Sequence, residues 1–199
     1  IAALQCHTIM GTKQVAELLK AYVDILLNTQ HKKGHWVILQ DTNQKRVAAT
    51  SFSYGNTGIL WFLLEYYLKF QDKKVLPAIH RGLCKMEQSA INLIKLKKQL
   101  GFRNIIQSSQ TNDGISGLIL IFIKASEVFN EPGLKKMAEE LLSLYPKKII
   151  HENFSQDTGL SGIGELYLEA YRVFQAPEWL ERAEWIVKFF MNTYNEECK

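Results

Sequence analysis

Four residues with side chains that can exchange protons precede glycine pairs in this sequence. They are Tyr54, Asp113, Asp157 and Thr158, and each lies one or two residues before the first glycine of a Gly-x-x-Gly motif. Carboxylate, phenol and hydroxyl groups serve as general acids or bases when a fold brings them together. Two carboxylates also carry out glycoside hydrolysis. An aspartate before a helix is alternatively an N-cap or first-turn residue. These four residues form the candidate catalytic set.

The glycine pairs belong to an internal repeat that occurs three times. When the second glycines are aligned, a phenylalanine follows twelve residues later in every copy, and an apolar residue follows five residues after that. The aligned glycines are Gly58, Gly117 and Gly162, and the phenylalanines are Phe70, Phe129 and Phe174. The copies are 59 and then 45 residues apart, so the repeated unit is a helix pair with a connection of variable length.

Hydrophobic periodicity predicts one helix after each glycine motif and a second helix after the shared phenylalanine. The resulting hairpins cover about residues 51–100, 110–150 and 155–195. An earlier helix is predicted for residues 12–30, followed by a long connection with a short strand. No segment shows sustained strand alternation, so we predict an all-α fold built from repeated helix hairpins.

The helices that follow the glycine motifs are more apolar than their partners. Residues 117–123 are Gly-Leu-Ile-Leu-Ile-Phe-Ile, and a helix that is apolar on most sides is buried. The amphipathic partners predict an outer layer around this inner one, in a curved stack or closed ring. The glycines are then expected to permit close approach and positive φ where each inner helix begins. The three shared phenylalanines are expected to be buried between the layers.

The composition is that of an ordinary globular protein. The 199 residues are 47% hydrophobic and 22% charged, and the longest apolar run is far shorter than a membrane span. The net charge of +4 comes from scattered lysines, which suits solvated surfaces or an acidic peptide better than nucleic acid. Three widely spaced cysteines argue for a reducing compartment. We predict a cytoplasmic protein that binds neither nucleic acid nor membrane.

The repeats resemble those of the lanthionine synthetase C-like family. The resemblance rests on the three Gly-x-x-Gly helices, above all residues 159–183, and on Gly34-His35-Trp36 ahead of the first motif; it covers about residues 34–190. Proteins of that family are (α/α) toroids with seven Gly-x-x-Gly inner helices. Its peptide cyclases add a cysteine thiol across dehydroalanine or dehydrobutyrine to form a thioether ring. Other members lack that known activity.

The zinc ligands of the zinc-dependent family members are missing from these motifs. Those members carry a Cys two residues before the glycine of one repeat and Cys-His immediately before the glycine of the following repeat. This chain has Ser53-Tyr54, Asn112-Asp113 and Asp157-Thr158 there. A zinc ion that activates thiols prefers thiolate and imidazole ligands. In lacking these ligands, the chain resembles the cyclase domains of class III lanthipeptide synthetases, which are zinc-free. This resemblance implies that no metal or other cofactor is used.

Two other pairs of residues are alternative zinc ligands. Cys6 and His7 are adjacent, and His80 and Cys84 are one helical turn apart. Cys6-His7 lacks a following glycine, and nothing in the sequence ties the two pairs together. Buried cysteines with satisfied histidines are the commoner arrangement.

Three functions stay open at this point. The first is a zinc-free cyclase domain, or part of one, in which the candidate catalytic set activates the thiol or stabilises the enolate. The second is a non-catalytic scaffold that binds a peptide, and the third is a carbohydrate-active toroid. The first two imply a peptide substrate, for which the net positive charge suits an acidic leader. Three motifs and an initial Ile1 predict one all-α domain over residues 1–199, a fragment of a larger toroid with further domains in the same polypeptide.

Overall fold

The computed structural model describes residues 11–39, 46–47, 50–53, 55–100, 115–156 and 159–197. These residues contain seven α-helices, one 3-10 turn and one two-stranded ladder. In chain order the elements are α1 (Lys13–Thr29), β1 (Ile38–Leu39), β2 (Arg46–Val47), α2 (Asn56–Phe70), the 3-10 turn (Lys73–Val75), α3 (Leu76–Leu100), α4 (Ile115–Phe129), α5 (Pro132–Leu142), α6 (Leu160–Phe174) and α7 (Pro177–Glu197). The predicted all-α fold of helix hairpins is confirmed, and the expected short strand is the antiparallel β1–β2 ladder.

The chain divides into two compact units, Ile1–Ser89 and Ala90–Lys199, with the boundary inside α3. The first unit has its core in the apolar residues of α1, α2 and the start of α3. Fully buried members of this core are Leu19, Val23, Leu60, Leu63, Leu64 and Ile79. Among the described residues, no helix is long and apolar enough to cross a membrane.

The second unit contains two consecutive helix hairpins, α4–α5 and α6–α7. Helix α4 packs against both α5 and α6, and α6 packs against α7. Ten of the fifteen residues of α4 are buried, whereas α5 buries only Ala138, Leu141 and Leu142. Within this unit the helices that follow the glycine motifs are therefore neighbours in an inner layer, and each has its own outer partner, as the periodicity predicted.

All three inner helices end in the same way. The residue after the shared phenylalanine adopts a left-handed conformation: Gln71 has φ 52°, Asn130 has φ 52° and Gln175 has φ 55°. Each of these residues donates its backbone N–H to a carbonyl oxygen four residues earlier, at distances of 2.8–2.9 Å. This left-handed cap closes the last turn and redirects the chain into the outer helix.

The shared phenylalanines occupy the last helical position and are only half-buried. Full burial was expected for Phe70, Phe129 and Phe174, and that prediction is wrong. The physical reason is their place at the helix end, where the ring lies at the margin of the packed surface. The ammonium group of Lys135 on α5 lies 5.2 Å from the centre of the Phe174 ring.

Candidate functional site at the starts of the inner helices

The four residues of the candidate catalytic set lie outside the described residues. Tyr54, Asp113, Asp157 and Thr158 therefore keep their catalytic assignment as a prediction only. The structure does describe most of the segments around three of them. We name residues 50–58 and 153–162 the first and third opening turns, because they lead into α2 and α6.

The second glycine lies against a backbone carbonyl in the same way in both opening turns. A Cβ atom added to Gly58 would overlap the carbonyl oxygen of Phe52, and a Cβ atom added to Gly162 would overlap that of Gln156. In both turns the carbonyl belongs to the residue six positions earlier. The turn and the helix therefore approach each other too closely for any side chain, and glycine is required.

A hydroxyl group next to that glycine fixes each opening turn to its helix. The Thr57 hydroxyl donates to the carbonyl oxygen of Thr50 at 2.8 Å, and the Ser161 hydroxyl donates to that of Phe154 at 2.5 Å. Both acceptors lie seven residues before the donor. This hydrogen bond was not predicted, although a hydroxyl residue stands at the same position of all three motifs, with Ser116 in the second.

The first glycines of the two motifs have ordinary extended backbone angles. Gly55 has φ −141° and Gly159 has φ −120°, so the predicted positive φ at the motif glycines is wrong at these two positions. Gly159 is nevertheless fixed by its surroundings, because an added Cβ would overlap the carbonyl oxygen of Asn153. The backbone N–H of Gly159 donates to the carbonyl oxygen of Ser155 at 3.0 Å.

The Gly34-His35-Trp36 segment braces the first opening turn. Asn56, the first residue of α2, accepts from the backbone N–H of Trp36 at 2.5 Å and donates to the carbonyl oxygen of Trp36 at 3.1 Å. The Trp36 indole donates to the carbonyl oxygen of Leu26 on α1 at 2.8 Å. Gly34 has φ 86°, and an added Cβ would overlap the carbonyl oxygen of Arg81. Through these hydrogen bonds the segment holds the start of α2 next to α1.

The third opening turn is held by polar contacts on one side and by aromatic rings on the other. The Asn153 side chain accepts from the backbone N–H of Ser155 at 2.9 Å, and Gln156 donates to the Glu165 carboxylate of α6 at 2.7 Å. The Phe154 ring packs edge-on against Phe190 of α7, with ring centres 5.1 Å apart. These contacts hold residues 153–156 against α6 and α7.

A charged network joins the far ends of α4 and α6. The Lys124 ammonium lies 3.1 Å from the Glu127 carboxylate, which also contacts the Arg172 guanidinium at 2.6 Å. Arg172 binds Glu169 at 2.7 Å as well. The hydrogen bond from Arg172, aided by Lys124, lowers the pKa of Glu127 to about 2, although its partial burial acts in the opposite direction. This network ties two inner helices together at the end away from their glycine motifs.

The residues beside the motif glycines do not suit a zinc ion that activates thiols. The side chains there are those of Ser, Tyr, Asn, Asp and Thr, which supply only oxygen and amide donors. Within the described residues, no group of three His, Cys, Asp or Glu side chains could hold a metal ion. His80 and Cys84 are both exposed on α3, and Cys84 is a free thiol. Cys6 and His7 lie outside the described residues.

Buried helices that follow glycine motifs, each paired with an outer helix, define an all-helical repeat protein of the (α/α) hairpin class. Over residues 1–198 the sequence matches the lanthionine synthetase C-like protein family. The chain belongs to that family, which confirms the resemblance found in its Gly-x-x-Gly helices, and its fold is consistent with the (α/α) toroid. Membership relates the chain to lanthionine cyclases and to peptide binding. Comparison with curated proteins gives no match.

Proposed function

We propose that this chain is the cyclase domain, or part of the cyclase domain, of a lanthipeptide synthetase, and that it forms thioether rings without zinc. The observation that carries the proposal is family membership over residues 1–198 combined with motif positions that hold oxygen donors in place of Cys and His. A peptide substrate with an acidic leader suits the net charge of +4. A cytoplasmic location suits the free thiol of Cys84.

The proposed reaction is an addition that needs one proton taken and one returned. A carboxylate of Asp113 or Asp157, or the Tyr54 phenol as its phenolate, removes the proton of the substrate cysteine thiol. The sulfur then bonds to the Cβ atom of a dehydroalanine or dehydrobutyrine, and the electron pair of the C=C bond moves to the adjacent carbonyl as an enolate. Return of the proton to Cα completes the thioether. A few per cent of a free thiol is already thiolate at neutral pH, so a weak base suffices.

The starts of α2 and α6 suit stabilisation of the enolate. The N-cap of both helices is a glycine, which makes no side-chain capping hydrogen bond, and the N-terminal end of a helix carries backbone N–H groups and partial positive charge. At α6 the N–H groups of Gly159 and Leu160 already donate to Ser155 and Asn153, so the proposal concerns the helix dipole and the N–H groups that follow them. Donors that are fixed before the reaction stabilise developing negative charge most effectively. The close approach at Gly58 and Gly162 supplies that rigidity through the backbone. In this proposal Thr158 contributes a hydroxyl donor beside Asp157.

The test is ring formation on a dehydrated peptide that carries one free cysteine. Because cyclisation leaves the mass unchanged, ring formation is measured as loss of thiol alkylation in the mass spectrum. We expect Asp157→Ala and Asp113→Ala to lower the rate at least about tenfold, which corresponds to 1.4 kcal/mol in the barrier. Glu140→Ala on the exposed side of α5 is the matched control and should have no effect. Added chelator should also leave the rate unchanged.

The other outcomes discriminate between the remaining functions. Peptide binding without any loss of free thiol would replace the cyclase with the non-catalytic scaffold. Rates that fall with chelator and recover with zinc would overturn the zinc-free mechanism. The family match favours both peptide-directed functions over a carbohydrate-active toroid. That residues 1–199 form one all-α domain of a larger toroid remains part of the proposal.

A further inference from the structure

The connection that follows α1 lies directly against the start of α3. The Gln30 side chain donates to the carbonyl oxygen of Gly34 at 3.1 Å and to that of Ala78 on α3 at 2.9 Å. It also accepts from the Arg81 guanidinium at 2.8 Å. The close approach of Gly34 to the carbonyl oxygen of Arg81 completes this contact. Basic side chains of the connection and of α3 are therefore brought to one place.

Five basic residues gather there, and we name them the basic cluster: His31, Lys33, His35, Arg81 and Lys85. The rings of His31 and His35 stack with their centres 4.6 Å apart. Arg81 and Lys85 are one helical turn apart on α3, so their side chains lie on the same face of the helix. Three members are exposed, and His35 and Lys85 are half-buried. The cluster therefore presents its charges to solvent.

The charge of the basic cluster is not neutralised within the described part of the chain. No carboxylate among the described residues forms an ion pair with Lys33, Arg81 or Lys85. Glu87 lies two residues after Lys85 and so projects from a different side of α3. In the second unit, by contrast, four lysines each bind a glutamate: Lys135, Lys136, Lys147 and Lys188. The basic cluster is thus a concentration of positive charge that lacks a described counter-charge.

The surroundings of His35 show the effect of this charge. Burial lowers the pKa of His35, and the charges of His31, Lys85 and Lys33 lower it further. The Nδ1 atom of His35 is buried and makes no hydrogen bond with the described residues. None of these groups stabilises the cationic form of His35, whereas a carboxylate supplied by a partner would.

We propose that the basic cluster binds the acidic segment of a peptide. Carboxylates along such a segment offset the charges of Lys33 and Lys85, and a carboxylate fits the planar guanidinium of Arg81. The rings in the cluster are two imidazoles stacked on each other, whereas single-stranded nucleic acid binds on open aromatic faces along a groove. The cluster therefore suits a peptide better than a nucleic acid.

The position of the basic cluster relates it to the first opening turn. Trp36 directly follows His35, and its backbone N–H and carbonyl groups bind the side chain of Asn56 at the start of α2. A peptide held at the cluster therefore lies beside the segment that leads into α2. The binding site follows from the charges, whereas its use for the acidic leader of the substrate rests on the proposed function.

Binding is tested with a fluorescein-labelled peptide of alternating glutamate and serine, whose fluorescence anisotropy is measured against the full chain. Lys33→Gln with Lys85→Gln should weaken binding about tenfold, because two ion pairs at a solvated surface are lost. If that variant does not fold, Lys33→Gln alone, at an exposed residue, should weaken binding about threefold. The control is Lys135→Gln with Lys136→Gln, which changes the net charge equally at lysines already paired with glutamates. The control should change the Kd less than about twofold.

The same peptide tests the part that His35 takes in binding. Lowering the pH from about 7.5 to about 6 should tighten binding, because the peptide carboxylates favour the protonated form of His35. The glutamates of the peptide stay ionised over this range. His35→Gln should reduce the gain in affinity at least about twofold, whereas His151→Gln, in the second unit, should leave it unchanged.

The ring-forming assay separates this inference from the proposed function. It uses a dehydrated peptide with a glutamate-rich leader, and the same peptide with each leader glutamate replaced by glutamine. Either the leader change or the Lys33→Gln, Lys85→Gln variant should raise KM about tenfold with little change in kcat. The two changes together should raise KM no further, because they remove the same contacts.

The outcomes discriminate between the two proposals. Ring formation with the same KM in the Lys33→Gln, Lys85→Gln variant and the wild-type chain would overturn the inference and leave the proposed function standing. Peptide binding that depends on Lys33 and Lys85, without any ring formation, would do the reverse. Equal weakening by the Lys135→Gln, Lys136→Gln control would mean that net charge alone governs binding, which overturns the inference. Tighter binding of an oligothymidine of equal charge, lost in the cluster variant, would also overturn it, because the partner would then be a nucleic acid.

Discussion

The two ends of helix α6 are held by different means. At its start, Gly159 and Gly162 lie against backbone carbonyls, and Ser161 bonds to another one. At its far end, Arg172 and Glu169 form ion pairs that reach across to α4. The start is fixed by backbone against backbone, and the same arrangement recurs at α2. The far end is fixed by ion pairs between side chains.

The backbone contact at the helix start recurs between repeats of this chain, whereas the ion pairs at the helix end vary. A backbone contact that excludes every side chain demands one residue type, so the glycine recurs wherever the geometry recurs. An ion pair needs only complementary partners, and its position can differ between hairpins. At the position of Glu127 and Arg172, the first hairpin has Leu68. We infer that the start of the inner helix is the part under geometric constraint, as a site requires.

The largest expected effect comes from filling the backbone contact. Gly162→Ala should destabilise the second unit by about 3 kcal/mol, because the new Cβ would overlap the carbonyl oxygen of Gln156 and the backbone must move. Gly164→Ala, two residues further along α6, is the control. Its Cβ would lie 3.7 Å from Ile186, an ordinary contact, so helix propensity should raise stability by about 0.5–1 kcal/mol. Urea unfolding measures both, and equal effects would contradict the backbone contact.

The second prediction concerns the charged end. The pKa of Glu127 is lowered to about 2, so its ion pairs stabilise the fold above the ordinary value near 4.5 and are lost as the pH falls towards 2. Glu127→Gln should lower the free energy of unfolding by about 2 kcal/mol at pH 7. This value is smaller than the pKa shift alone implies, because solvent screens the ion pair with the half-exposed Arg172. The difference in unfolding free energy between the variant and the wild-type chain should fall to zero as the pH is lowered from 4.5 to 2. Urea unfolding across this range measures it, and Glu140→Gln, at an exposed glutamate, should show no such convergence.

Helix starts and ends were predictable because they depend on local sequence. The shared phenylalanine and the glycine motif bracket α4 and α6 to within two residues of the observed bounds. The left-handed caps at Gln71, Asn130 and Gln175 directly follow that phenylalanine, but glutamine carries no strong signal for such a conformation. Hydrophobic periodicity therefore predicts the paired helices, but it does not predict the left-handed residue that connects them.

The contacts of the candidate site depend on residues that the sequence does not pair. The carbonyls that require Gly58 and Gly162 are backbone groups, which any residue can supply, so no residue type marks them. Lys124 directly follows the apolar run of residues 117–123 and is buried, and nothing in the sequence marks its partner. The Arg172 that completes its network is in another repeat. Tyr54, Asp113, Asp157 and Thr158 remain a prediction from their spacing to the motif glycines.

The hydroxyl beside the second glycine gives a smaller effect at the start of the helix. Thr57 is fully buried and donates to the carbonyl oxygen of Thr50, so Thr57→Val keeps the shape and removes the donor. We expect a loss of about 1–2 kcal/mol. Ser161→Ala should cost about 1 kcal/mol, since the residue is less buried. Thermal unfolding of both variants measures the loss. No change in either would mean that the glycine contact alone fixes the opening turns.

The smallest effect is expected at the left-handed cap that ends α6. Gln175 has φ 55°, which strains a residue with a Cβ atom, but its side-chain amide donates to the carbonyl oxygens of Tyr171 at 3.2 Å and Arg172 at 2.8 Å. Gln175→Ala keeps the strain and removes both bonds, so it should cost about 0.5–1 kcal/mol. Gln175→Gly removes the bonds and the strain together, so its stability should stay within about 0.5 kcal/mol of wild type. Urea midpoints in which alanine is at least as stable as glycine would show that the left-handed conformation at this position does not strain a residue with a Cβ atom.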